Sequence, residues 1–158
     1  MSWILRLMGL FYAATGFVYV RTYAVNAVAD RLLEALDGLP APKERIKRLW
    51  LTLGAALTVG SGLALLTLSG WILPFMVANA VVQGGWLLYA RIAFPPEDEE
   101  DRAGRRQTTN AFLVWCVATA IALFIVTGNR QIIESGMIQT LLPPVGSVAL
   151  FGWLMVQK

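Results

Sequence analysis

Histidine is absent from the 158 residues, and cysteine occurs once, as Cys116. Histidine is the commonest metal ligand and the usual general base near neutral pH. Its absence excludes bis-histidine haem, histidine-based zinc or copper sites, and any Ser–His or Cys–His pair within this chain. A single cysteine makes neither an internal disulfide nor a CxxC site. Cys116 sits in an apolar run and reads as a small buried hydrophobe. Charge is scarce as well, at 15% of residues against about 25% in a soluble domain. No lysine or carboxylate falls within the long apolar runs, where such groups mark proton relays and ion-coupled transport. Walker, HExxH and GxSxG patterns are missing too. These absences speak against an enzyme and against charge-coupled transport, and no cofactor or metal is expected. A passive pore stays open as a reading, because backbone carbonyls can select ions.

What is present is apolar residue, at 57% with a mean hydropathy of +0.61. The apolar residues cluster in runs of about 20, the length of a transmembrane helix. That excludes a soluble enzyme, a disordered chain and a disulfide-built secreted domain. The first run covers about Trp3 to Tyr23 and continues as an amphipathic helix from Ala24 to Leu36. Asp37 to Pro42 holds a glycine and two prolines and stops it. The basic run Lys43 to Arg48 leads into the second segment, Leu49 to Leu68, and Ser69-Gly70 makes a tight connection. The third segment spans Trp71 to Ile92, with Pro74 in its first turn, where proline is tolerated. A polar loop is expected from Phe94 to Gln107, acidic and then basic in order. The fourth segment is expected at Thr108 to Thr127, its threonine pair capping the start. The last, Met137 to Val156, carries Pro143-Pro144 near its middle and reads as a kinked span. The fold class is therefore all-α: one polytopic transmembrane bundle over residues 1–158, with five helices, or four if the last segment is re-entrant or peripheral.

Lysine and arginine set the orientation. Six lie between Arg21 and Arg48, four between Arg91 and Arg106, and one is Lys158. Only Arg6 and Arg130 fall on the other side. The positive-inside rule puts the N-terminus outside, and the C-terminus and the stretches 24–48 (with its loop 37–48) and 93–107 in the cytoplasm. Trp3 and Trp71 then mark the outer interface, and Trp50, Tyr89 and Trp153 the inner one. The formal charge of +3 encodes this orientation and implies no nucleic-acid partner. The first run lacks a small-residue cleavage site, so it is expected to stay as a helix.

Polar residues within the spans are the candidate site. Tyr12, Thr15, Tyr19, Tyr23 and Asn26 fall in an arc of roughly 120° on the first helix. Asn79 and Gln83 lie one turn apart on the third. Together they could line an intrabundle cavity for a lipid-like or quinone-like molecule. The alternative is that the first-helix hydroxyls bond neighbouring helices, and that Asn79 and Gln83 bond the tyrosine stripe or a threonine such as Thr119. Gly54, Thr58 and Gly62 recur at i+4 on the second helix and predict close helix packing, within the bundle or between copies. Arg130 and Glu134 lie four residues apart at the outer face and can pair if that stretch is helical, as a surface ion pair or as a gate or partner contact at the outer mouth of the bundle.

The stretch Leu5–Gly16 (LRLMGLFYAATG) resembles the opening helix of small DoxX-like bacterial membrane proteins. Leu53–Leu66 (LGAALTVGSGLALL) is similar to their glycine-punctuated second helix. The resemblance covers the first half of the chain. It implies a four-helix bundle in the bacterial inner membrane and an accessory role beside redox or other membrane enzymes. The long extension after the first helix and the fifth segment depart from that pattern, and no functional residue carries over. The expected function is thus a non-enzymatic accessory or structural subunit, working through helix packing and loop docking. Its expected partners are the bilayer and another membrane protein or a second copy. A lipid-binding or small-molecule-binding protein, or a passive pore, is the alternative.

Overall fold

The computed structural model describes residues 2–37, 42–96 and 98–156, with the side chains of 22–44 and 130 outside the described set. Among these residues there are five α-helices and no strand: α1 (Ser2–Asp37), α2 (Pro42–Leu66), α3 (Ile72–Ala93), α4 (Glu99–Gly128) and α5 (Met137–Val156). All five are long and apolar enough to cross a membrane. Large apolar side chains such as Phe11, Phe17, Val114, Phe124 and Val148 are exposed on every flank. A soluble monomer rarely exposes so much contiguous apolar surface, whereas a bilayer solvates it.

α1 has 36 residues, about 54 Å at 1.5 Å per residue. A hydrocarbon core of about 30 Å cannot contain it, so the span continues unbroken into the expected arm. The stop at 38–41 lies outside the described residues. α2 begins at Pro42, so the basic run Lys43 to Arg48 is helical, and the expected 37–48 loop is shorter than the sequence implied. Proline suits that place, since the first helical turn has no use for its missing N–H.

α4 corrects the reading more strongly. It begins at Glu99, nine residues before the expected threonine pair. Asp98 is the cap, its carboxylate accepting from the Asp101 N–H at 2.8 Å. Glu99, Glu100 and Asp101 follow in the first turn, where the helix dipole favours negative charge. Glu99 also holds Arg102 at 3.1 Å. Thr108 and Thr109 are interior residues, donating to the carbonyls of Gly104 and Arg105 at 2.9 Å. The end of the apolar run marks where the helix leaves hydrocarbon, not where it stops.

α5 runs continuously through Pro143 and Pro144, which agrees with a fifth spanning helix. Each proline deprives the carbonyl four residues earlier of its usual donor. The Trp71 indole N–H takes up one of these, donating to the Thr140 carbonyl at 2.9 Å. The α2–α3 turn differs in detail from expectation. Leu68, not a glycine, takes the left-handed position at φ 52°, and the Ser69 N–H closes the turn on the Ala64 carbonyl at 2.9 Å. Leu68 is buried, so packing holds a backbone that costs roughly 1–2 kcal/mol.

α2 is the centre of the bundle. It packs on α1, α3 and α5, while α3 touches α4 more sparsely. In α2, 56% of the apolar window is buried, against 28% or less in the other helices. Lipid tails are as apolar as leucine, so burial alone does not draw these helices together; close packing and hydrogen bonds do. The α1/α2 crossing shows how. A methyl group on Gly62 would stand 2.7 Å from the Ala13 nitrogen, and one on Gly9 would stand 2.7 Å from the Leu66 nitrogen. Gly9 and Gly62 are therefore spent on backbone contact between α1 and α2.

The contacts also sort the ends. Arg6, the 67–71 turn and Glu134 meet at one end, while Lys47, Phe94 and Arg105 lie together at the other. Successive helices therefore alternate in direction across five passes.

Candidate functional site

The polar residues singled out in the sequence go to different neighbours. Tyr12 is buried at 1% exposure, and its hydroxyl shares a 2.9 Å hydrogen bond with Thr119 of α4. Its ring lies 5.9 Å from that of Trp115. Thr15 is exposed and donates to the Phe11 carbonyl of its own helix. Tyr19, at 38% exposure, faces outward although it lies only about 20° round the helix from Tyr12. The side chains of Tyr23 and Asn26 lie outside the described residues.

Asn79 is fully buried against α2. Its amide donates to the Thr58 hydroxyl at 3.2 Å, and that hydroxyl donates to the Gly54 carbonyl at 2.8 Å. Gln83, one turn on, lies across Gly54: a methyl there would stand 3.0 Å from its Nε2. Gly54 and Thr58 thus serve the α2/α3 contact, whereas Gly62 serves α1/α2. The i+4 drift of 40° per step turns one stripe toward two partners. Ser147 of α5 completes the set, donating to the Ala56 carbonyl at 2.9 Å.

Glu134 is a junction. One carboxylate oxygen accepts from Arg6 at 3.0 Å and the other from Gln139 at 3.1 Å, while its backbone N–H donates to the Leu68 carbonyl at 2.9 Å. It links α1, the α2–α3 turn and α5. The expected partner, Arg130, has its side chain outside the described residues. A separation of 128 residues hid Arg6 from any local pattern.

The feature sequence reading missed is a groove of about 590 Å³ between the end of α3 and the first half of α4. Four cations line it: Lys47, Arg91, Arg105 and Arg106. Its apolar lining includes Trp86, Leu87, Ala90 and Phe94. Arg105 donates to the Ala90 carbonyl at 3.1 Å, and the Lys47 ammonium stands 5.8 Å from the centre of the Phe94 ring. Trp86, Tyr89 and Phe94 form one aromatic cluster with ring centres 6.0–6.3 Å apart. Among the described residues no group of His, Cys, Asp or Glu is placed to hold a metal ion. Comparison with protein-family models, curated proteins and solved structures finds no match to this chain.

Proposed function

We propose that this chain is a non-enzymatic accessory or structural subunit of a membrane assembly, oriented with its basic ends in the cytoplasm. One observation carries the reading: three polar groups buried within the spans bond across to a neighbouring helix, although the buried Thr52 hydroxyl of α2 finds no partner among the described residues. Tyr12 holds Thr119, Asn79 holds Thr58, and Ser147 holds Ala56. Groups committed to helix–helix bonds support a scaffold more than a Tyr/Asn/Gln-lined ligand cavity. The charged ends support docking, because α4 carries its acidic and basic turns beyond the apolar run, and about ten residues of it lie past a 30 Å core. The DoxX-like character of α1 and α2 accords with an accessory role in a bacterial inner membrane.

The test is purification from native membrane in gentle detergent, with the intact assembly weighed by native mass spectrometry. The reading expects a discrete complex containing a second protein in fixed ratio. A chain recovered alone under conditions that keep other membrane complexes intact would contradict it.

A further inference from the structure

We propose that the α3/α4 groove is a binding site for one anionic phospholipid, its headgroup phosphate held by Arg91, Arg105 and Arg106 and an acyl chain lying along Trp86 and Leu87. The charge balance comes first. Among the described residues the lining holds four cations and no carboxylate. The acidic turn of α4, Asp98 to Asp101, contributes nothing to the lining, and Arg102 is tied to Glu99 outside it. Among the described residues none of the three groove arginines is ion-paired. Arg105 gives one N–H to the Ala90 carbonyl, which leaves further guanidinium donors. That bond also covers a carbonyl of the last α3 turn, whose partial negative charge would otherwise repel an anion. Guanidinium forks match phosphate oxygens in pairs, which suits three arginines to this role better than three lysines.

Position points to an amphiphile and not to a soluble anion. The Trp86–Tyr89–Phe94 cluster is the type of aromatic belt that sits at headgroup level. Arg91, Arg105 and the Lys47 ammonium lie at the level of Ala90 to Phe94, while Trp86 and Leu87 lie about one turn further into the span. A rim of charge above an apolar wall repeats the profile of a lipid molecule. Basic pockets between transmembrane helices on the cytoplasmic side are known to take anionic headgroups. The volume lies within the roughly 300–1,000 Å³ of ligand pockets generally.

The experiment uses the full chain in mild detergent, with lipid retention read by native mass spectrometry. The probes are dioleoyl-phosphatidylglycerol, dioleoyl-phosphatidylcholine and inorganic phosphate. Phosphatidylglycerol is expected to bind as one retained molecule in preference to phosphatidylcholine. Arg105→Gln with Arg106→Gln is expected to weaken it about thirty-fold, and Arg91→Gln alone about five-fold. Arg102→Gln, outside the groove, is expected to leave it unchanged, and Arg105→Lys with Arg106→Lys to retain only part of it, since each fork becomes a point charge. Helicity by circular dichroism confirms that each variant is folded; if the double variant is not, the exposed Arg91→Gln decides. Equal retention of the two lipids, or loss equal in Arg102→Gln, would overturn the proposal. So would displacement of the lipid by millimolar inorganic phosphate, which would make the site one for a soluble anion.

Discussion

Adding one methyl group to Gly62 tests how the bundle is held together. The Gly62→Ala methyl would stand 2.7 Å from the Ala13 nitrogen and 3.0 Å from the Gly9 carbonyl oxygen, about 0.7 Å short of ordinary contact at the closest point. Both atoms are backbone, so no side chain can turn aside, and α1 and α2 must separate. Overpacking of this kind costs about 1–3 kcal/mol. Alanine's better helix propensity returns up to about 1 kcal/mol. The net expectation is a loss of about 1–2 kcal/mol, measured by equilibrium unfolding in mixed detergent–dodecyl sulfate micelles. Gly152→Ala is the control: nothing lies within 4 Å of its added methyl, so the propensity gain of about 0.5–1 kcal/mol stands alone. The same substitution should thus act with opposite sign at two helical glycines. Gly9→Ala combined with Gly62→Ala should cost less than the sum, since one separation relieves both clashes. A Gly62→Ala protein as stable as Gly152→Ala would refute a backbone-to-backbone α1/α2 crossing.

Other substitutions probe single contacts. Tyr12→Phe removes the Thr119 hydrogen bond and should cost about 0.6 kcal/mol, at most about 1.7, in the same unfolding assay. Trp71→Phe leaves the Thr140 carbonyl without the indole donor and, because the bond is exposed, should cost about 0.5–1.5 kcal/mol, with helix content unchanged by circular dichroism. Glu134→Gln weakens the half-exposed Arg6 pair and should cost no more than about 1 kcal/mol, a loss that fades as salt is raised.

The number and order of the spans were legible in the sequence, because a bilayer's thickness fixes the length of apolar run that a helix must supply. The proline-containing last segment was legible for the same reason, although the indole that answers its freed carbonyl comes from 69 residues away. Helix ends were less legible. Asp98 and the acidic turn after it start α4, yet the loss of hydropathy there read as a loop. The polar stripe on α1 was only partly legible. Tyr12 and Tyr19 share a face by angle, but one is covered by α4 and the other is not, and no helical wheel shows where a neighbour passes. The pairing of Tyr12 with Thr119 was within reach, because a buried hydroxyl needs a partner at its own depth. The groove was not, since its cations come from α2, α3 and α4, and span 59 residues of sequence from Lys47 to Arg106.

The central claim is that five helices alternate across a membrane with the basic ends together on one side. Single cysteines test it in a Cys116→Ala background: Gly70→Cys and Ser135→Cys at one end, and Glu100→Cys at the other, all at exposed positions. An impermeant thiol reagent applied to intact cells should label Gly70→Cys and Ser135→Cys, and should reach Glu100→Cys only after the membrane is opened. Labelling of Gly70→Cys and Glu100→Cys from the same side would contradict the account.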